Sequence, residues 1–148
     1  YDFLGRISAG TNVGLSCLRL WGRFNRLSRR ERWRLRARWG LSCGKLYGRI
    51  GEMLDKDIPV ILCIPVLFGK KNKGRGIAFY QKEKGVYRQA CTVSAHYVVI
   101  TELVQEEGRT YLGISSWGRK YYVDWQEYER LIRTHFLGFI LGNILYIK

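Results

Sequence analysis

The stretch AHYVVITELVQEEGRTYLGISSWGRKYYVDWQEY, residues 95–128, decides how this chain folds. From His96 to Val104 it is apolar and β-branched, which predicts a strand. Glu106-Glu107-Gly108 predicts a turn, and Thr110 to Ser115 the returning strand. RKYYVDW predicts a further short strand, and WQEYERLIRTHF a helix capped by Asp124. A lone imidazole, His96, opens the first of these strands.

The same pattern extends upstream. IAFYQKEKGVYRQA, residues 77–90, predicts a hairpin that turns at Glu83-Lys84-Gly85. IPVILCIPVLFG, residues 58–69, is nearly continuous apolar sequence. It predicts a central strand buried on both faces, with Pro59 and Pro65 near its ends. Residues 40–57, GLSCGKLYGRIGEMLDKD, predict a helix with Ser42 as N-cap and Leu46, Ile50 and Leu54 as its apolar stripe. Residues 11–27, TNVGLSCLRLWGRFNRL, predict a short amphipathic helix capped by Thr11 or Asn12. Between these two helices, RWRLRARWG (32–40) alternates strictly, the mark of a half-buried strand. That reading sends Trp33 and Trp39 to the core and Arg32, Arg34, Arg36 and Arg38 to solvent, as a solvated face or an anion-binding edge. ILGNILYI closes the chain as a strand, and His135 falls at a helix C-terminus, where a cation is favoured. The whole predicts a single α+β domain over 1–148, its helices ahead of a mostly antiparallel sheet with one late helix.

The charge is uneven. The chain carries a net +14. The first fifty residues hold twelve Arg and Lys against two acids, a net +10, almost all of it between Arg19 and Arg49. Such a field attracts anionic partners, whether acidic protein, nucleic acid or anionic lipid. Phe136 to Ile147, the most apolar run, is too short to span a membrane and contains two glycines and an asparagine. No charged-then-apolar leader opens the chain, so a cytoplasmic location is the default expectation. The four cysteines, Cys17, Cys43, Cys63 and Cys91, include no CxxC pair, so neither a metal site nor a cofactor is expected. Cys63 and Cys91 read as ordinary packed thiols.

The cadence of residues 40–130 resembles the C-terminal half of papain-like cysteine peptidases, particularly their C39-like bacterial branch. His96 matches the family histidine, and Ser115-Ser116-Trp117-Gly118 matches the Asn-Ser-Trp-Gly block. The resemblance implies a papain-like half-fold and a thiol peptidase or amidase acting on peptide or protein. It implies His96 as base, Ser115 as the group that orients it, and Trp117 and Gly118 at the substrate side. It places the nucleophile segment upstream of Tyr1. Within the chain, Cys17, preceded by Ser16, is the first candidate nucleophile, and Cys43, near a helix N-terminus, is the second. Cys17 also lies on the apolar stripe of its predicted helix, where a packed thiol is the ordinary explanation. A domain that keeps the fold without the chemistry, and binds an anionic partner through its arginines, is the alternative.

Overall fold

The computed structural model describes residues 17–41, 43–64, 76–134 and 143–148, with Cys17 and Cys43 described by backbone only. Thr11, Asn12, Ser42, Pro65 and His135 lie outside the described residues. The elements, in order, are α1 (Cys17–Arg30), β1 (Ala37–Leu41), α2 (Cys43–Leu54) and β2 (Val60–Ile64). They continue with β3 (Ile77–Glu83), β4 (Val86–Val93), β5 (His96–Glu106), β6 (Arg109–Ser116), β7 (Arg119–Asp124), α3 (Trp125–Thr134) and β8 (Asn143–Ile147). The chain is α+β, and the eight strands among the described residues join one sheet in the order β1-β8-β2-β5-β6-β7-β3-β4, each neighbour antiparallel.

Period-two alternation sorts the strands onto two faces. Leu62 pairs with Ile144 on one side and Val98 on the other, so these share a face with Val60, Ile64 and Ile100. Ile100 pairs with Ile114, and Ile114 with Tyr121, which carries the same face across to β7. α2 and α3 cover this face. Leu46, Ile50 and Met53 from α2 and Trp125, Tyr128 and Ile132 from α3 complete the buried core. Leu54, the third member of the predicted stripe, is only partly buried. The opposite face carries Tyr87 stacked on Tyr111, centroids 3.9 Å apart, with Tyr122 edge-on to Tyr87.

β2 lies third in the sheet and is buried at Val60, Leu62, Cys63 and Ile64, as a central strand should be. Both hairpins form where predicted, turning at Lys84-Gly85 and Glu107-Gly108. Each turn has positive φ at both central residues, the two-residue geometry that matches strand twist. Asp124 caps α3: its Oδ1 accepts from the Glu127 N–H at 3.1 Å.

One segment departs from its alternation. The strand expected from Arg32 begins only at Ala37, α1 runs on to Arg30, and Trp33 and Leu35 are exposed, not core. The helix end explains it. Arg32 takes φ 56°, Trp33 N–H donates to Ser28 O at 2.8 Å, and Arg32 N–H donates to Arg29 O at 3.3 Å. That is a Schellman termination, and it claims residues 32 and 33 before a strand can use them. Trp33 then packs on Phe24 of the helix it terminates, centroids 6.4 Å apart. Trp39 does lie on β1, but it is only partly buried. α2 ends the same way, with Asp57 at φ 55° and Ile58 N–H donating to Met53 O at 2.9 Å.

α1 lies along the outer edge of β1. Asn25 holds Ala37 from both sides: Oδ1 accepts from the Ala37 N–H at 2.8 Å and Nδ2 donates to Ala37 O at 3.1 Å. Trp21 Nε1 donates to the same carbonyl at 3.0 Å, and Ser28 Oγ donates to Leu35 O. These side chains occupy backbone groups that would otherwise template another strand.

Candidate active site

The site sits at one end of the sheet, where β5 begins and β6 ends. Ala95, at φ 53°, swings the chain into β5, and His96 pairs with Ile64 at the end of β2. Parity with Val98 and Ile100 puts the imidazole on the helix-covered face. On β6 the same parity runs Leu112, Ile114, Ser116, so Ser116 shares that face and Ser115 does not. Ser116 is buried and Ser115 is exposed. The hydroxyl that meets the histidine is therefore Ser116, its Oγ 2.8 Å from His96 Nε2.

Trp117 and Gly118 form the two-residue turn from β6 to β7, at φ 48° and 70°. A bulky aromatic is a costly choice for a left-handed position. Its effect is to lay the indole flat on the imidazole, centroids 4.7 Å apart and planes 12° from parallel. Phe79 and Tyr121 brace the indole from the core side, with centroids 5.9 and 6.1 Å away. Trp117 still exposes 59 % of its surface, so its outer side is open to a ligand. A Cβ at Gly118 would meet nothing within 4 Å, so the turn conformation, not room, calls for glycine there.

Burial is the cause that pushes His96 below its ordinary 6.5, toward the neutral form. The linkage has a definite sign. With a folded pKa below the unfolded one, the stabilisation is complete above about pH 6.5, and it is lost as the pH falls toward the folded value. Denaturant midpoints measured from pH 8 down to 5 are expected to include this loss in the wild type, and His96→Gln should remove that component. An unaltered pH profile in His96→Gln would contradict it.

The cysteines divide. Cys63 is buried on β2 with its side chain on the face away from His96, since its neighbours Leu62 and Ile64 face the helices. Cys91 is partly buried on β4, opposite Phe79. Cys17 opens α1, which packs at the β1 edge with β8 and β2 between it and β5. Three strand spacings alone amount to roughly 14 Å. Cys43 opens α2. The side chains of Cys17 and Cys43 lie outside the described residues.

Arg36 and Arg38 lie at the far corner of the same sheet face: Arg38 pairs with Tyr146, and Arg36 exchanges backbone bonds of 2.7 and 2.8 Å with Lys148. Arg32 and Arg34 lie in the exposed link from α1 to β1. No helix among the described residues is long and apolar enough to cross a membrane. Comparison of the chain with protein-family models, curated proteins and solved structures finds no match.

Ser116 was missed by motif alignment, which favours Ser115. The alternation Leu112, Ile114, Ser116 against His96, Val98, Ile100 is the signal that finds it.

Proposed function

We propose that this chain is the histidine-bearing portion of a papain-like thiol peptidase or amidase of C39-like type, with His96 as general base. The observation that carries the reading is the imidazole held at a strand mouth, tied through Nε2 to a buried hydroxyl and covered by an indole. A base needs that restraint: one ring nitrogen fixed, the other presenting a lone pair. With Nε2–H donating to Ser116 Oγ, the lone pair is on Nδ1. Ser116 takes the positioning role that the family gives to an amide, and Trp117 shields the bond.

The chemistry implied is thiol acyl transfer. His96 Nδ1 accepts the proton of a cysteine Sγ–H, and the thiolate adds to the carbonyl carbon of a peptide bond. The tetrahedral oxyanion collapses, the C–N bond breaks, and the imidazolium returns its proton to the leaving amine. Water, deprotonated by the same imidazole, then cleaves the thioester and restores the thiol. Neither described cysteine side chain is the nucleophile in this reading: Cys63 faces away from His96 and Cys91 lies on β4 opposite Phe79, which leaves the role to another cysteine.

The test uses the full-length protein and a fluorogenic peptide amide. His96→Ala is expected to lower kcat/KM at least about 100-fold. Ser116→Ala should cost less and displace the acidic limb of the pH profile, while Ser115→Ala leaves both unchanged. Equal effects at Ser115 and Ser116 would remove Ser116 from the positioning role, and full activity in His96→Ala would end the reading.

A further inference from the structure

We infer that Arg119 is a specificity-determining residue, selecting peptides that carry a carboxylate close to the scissile bond. The inference rests on the thiol peptidase reading above and names the substrate class of that same site. Arg119 opens β7 and is the register partner of Ser116, which ends β6. The two flank the tight turn of Trp117 and Gly118. Directly paired residues of antiparallel strands hold their Cβ atoms about 5 Å apart on one face of the sheet. Tyr121 and Val123 follow Arg119 at period two and are both buried in the core, so that face is the helix-covered one. It is also the face on which Ser116 meets His96. Arg119 is therefore rooted beside the hydroxyl that holds the imidazole, and its side chain is exposed. An offset of about 5 Å, against about 3.3 Å per residue of an extended peptide, is one to two residues from the reacting carbonyl.

Three observations support the role. First, Arg119 has its charge to spare. Other cations of β6 and β7 are neutralised: Lys120 pairs with Glu102 at 2.9 Å, and Arg109 with Asp124 at 2.9 Å. Among the described residues no carboxylate and no aromatic ring takes up Arg119. Second, the charge is local. Parity sends Lys120 to the opposite face, over the Tyr122 ring at 5.5 Å, so among residues 115–120 Arg119 is the one cation on the site's face. Third, the approach is open. Trp117 exposes 59 % of its surface, and a Cβ at Gly118 would meet nothing within 4 Å. A peptide lying across this turn meets the indole and the guanidinium together. The anions such a peptide brings are its Asp and Glu side chains and its terminal carboxylate, and the planar arginine fork receives either source bidentately.

The probes are internally quenched peptides of one sequence, amidated at the C-terminus, with Glu, Gln or Lys placed in turn at each of two positions on either side of the scissile bond. The full-length protein is assayed at about 0.15 M salt, where exposed charges more than about 8 Å apart are largely screened. The wild type is expected to favour Glu over Gln at least about fivefold in kcat/KM at one position, and to disfavour Lys there. Arg119→Gln should bring the Glu/Gln ratio to about one, and Arg119→Glu should reverse the preference toward Lys. Arg88→Gln removes equal charge from the edge strand β4 and should keep the wild-type ratio. A Gln peptide ending at that position, as free acid against amide, tells a terminal carboxylate from a side-chain one. A fluorescein-labelled series with an N-methylated scissile bond reads binding by anisotropy and separates two failures. If cleavage depends on His96 but the Glu/Gln ratio is the same in wild type and Arg119→Gln, the role of Arg119 is overturned and the thiol reading stands. If no peptide is cleaved but binding favours Glu and Arg119→Gln abolishes that preference, the thiol reading falls and Arg119 stands as a carboxylate subsite. Neither binding nor cleavage overturns both. A preference for Glu at every position alike, indifferent to Arg119, marks the overall field of a +14 chain and also overturns the inference.

Discussion

Phe79→Ala is expected to cost about 3–5 kcal/mol of folding stability. Phe79 is fully buried on β3. Its ring contacts Tyr121 at 5.6 Å and Trp117 at 5.9 Å, so it links the core to the indole that covers His96. Truncation removes the transfer energy of the ring and leaves a cavity that the flanking strands cannot close, because their spacing is set by hydrogen bonds. Against a typical total of 5–15 kcal/mol, that is a large fraction of the whole. The denaturant midpoint should fall accordingly. The indole should also lose its brace, which tryptophan fluorescence can follow at low denaturant. A loss below about 1 kcal/mol would show that Phe79 is not the keystone its burial indicates.

Asp124→Ala is expected to cost about 2 kcal/mol, and most of that is the helix cap. Asp124 is 1 % exposed. Its Oδ1 accepts from Glu127 N–H, and its Oδ2 accepts from Arg109 at 2.9 Å. The Arg109 side chain is 60 % exposed, so solvent screens the ion pair and its share is small. Asp124→Asn keeps an acceptor oxygen for the cap and drops only the charge. It should lose under about 1 kcal/mol. If Asn and Ala destabilise equally, the charge and not the cap carries the stability.

Much of this fold was legible because its turns announce themselves. Lys84-Gly85 and Glu107-Gly108 each sit between alternating runs, and Asp124 stands before an amphipathic helix. What local pattern could not supply was strand order. β8 enters between β1 and β2, and β7 pairs with β3, through contacts distant in sequence. Residues 32–36 misled for a different reason. Their alternation satisfies a strand template, yet the termination of α1 fixes Arg32 and Trp33 first, and a helix end outranks a two-residue period. The site was half legible. His96 and Trp117 stood out in the motif, but the partner hydroxyl depended on pairing register, which makes Ser116 the neighbour that alignment assigned to Ser115.

The most direct test is reaction of the full-length protein with an epoxysuccinyl thiol probe across pH, with the labelled cysteine mapped by mass spectrometry in wild type and His96→Ala. The account predicts one cysteine labelled far faster than the rest, with an apparent pKa below the usual thiol value of about 8.5. It predicts that His96→Ala slows that site at least about 100-fold and leaves the others unchanged. Uniform slow labelling of every cysteine, indifferent to His96, would contradict it.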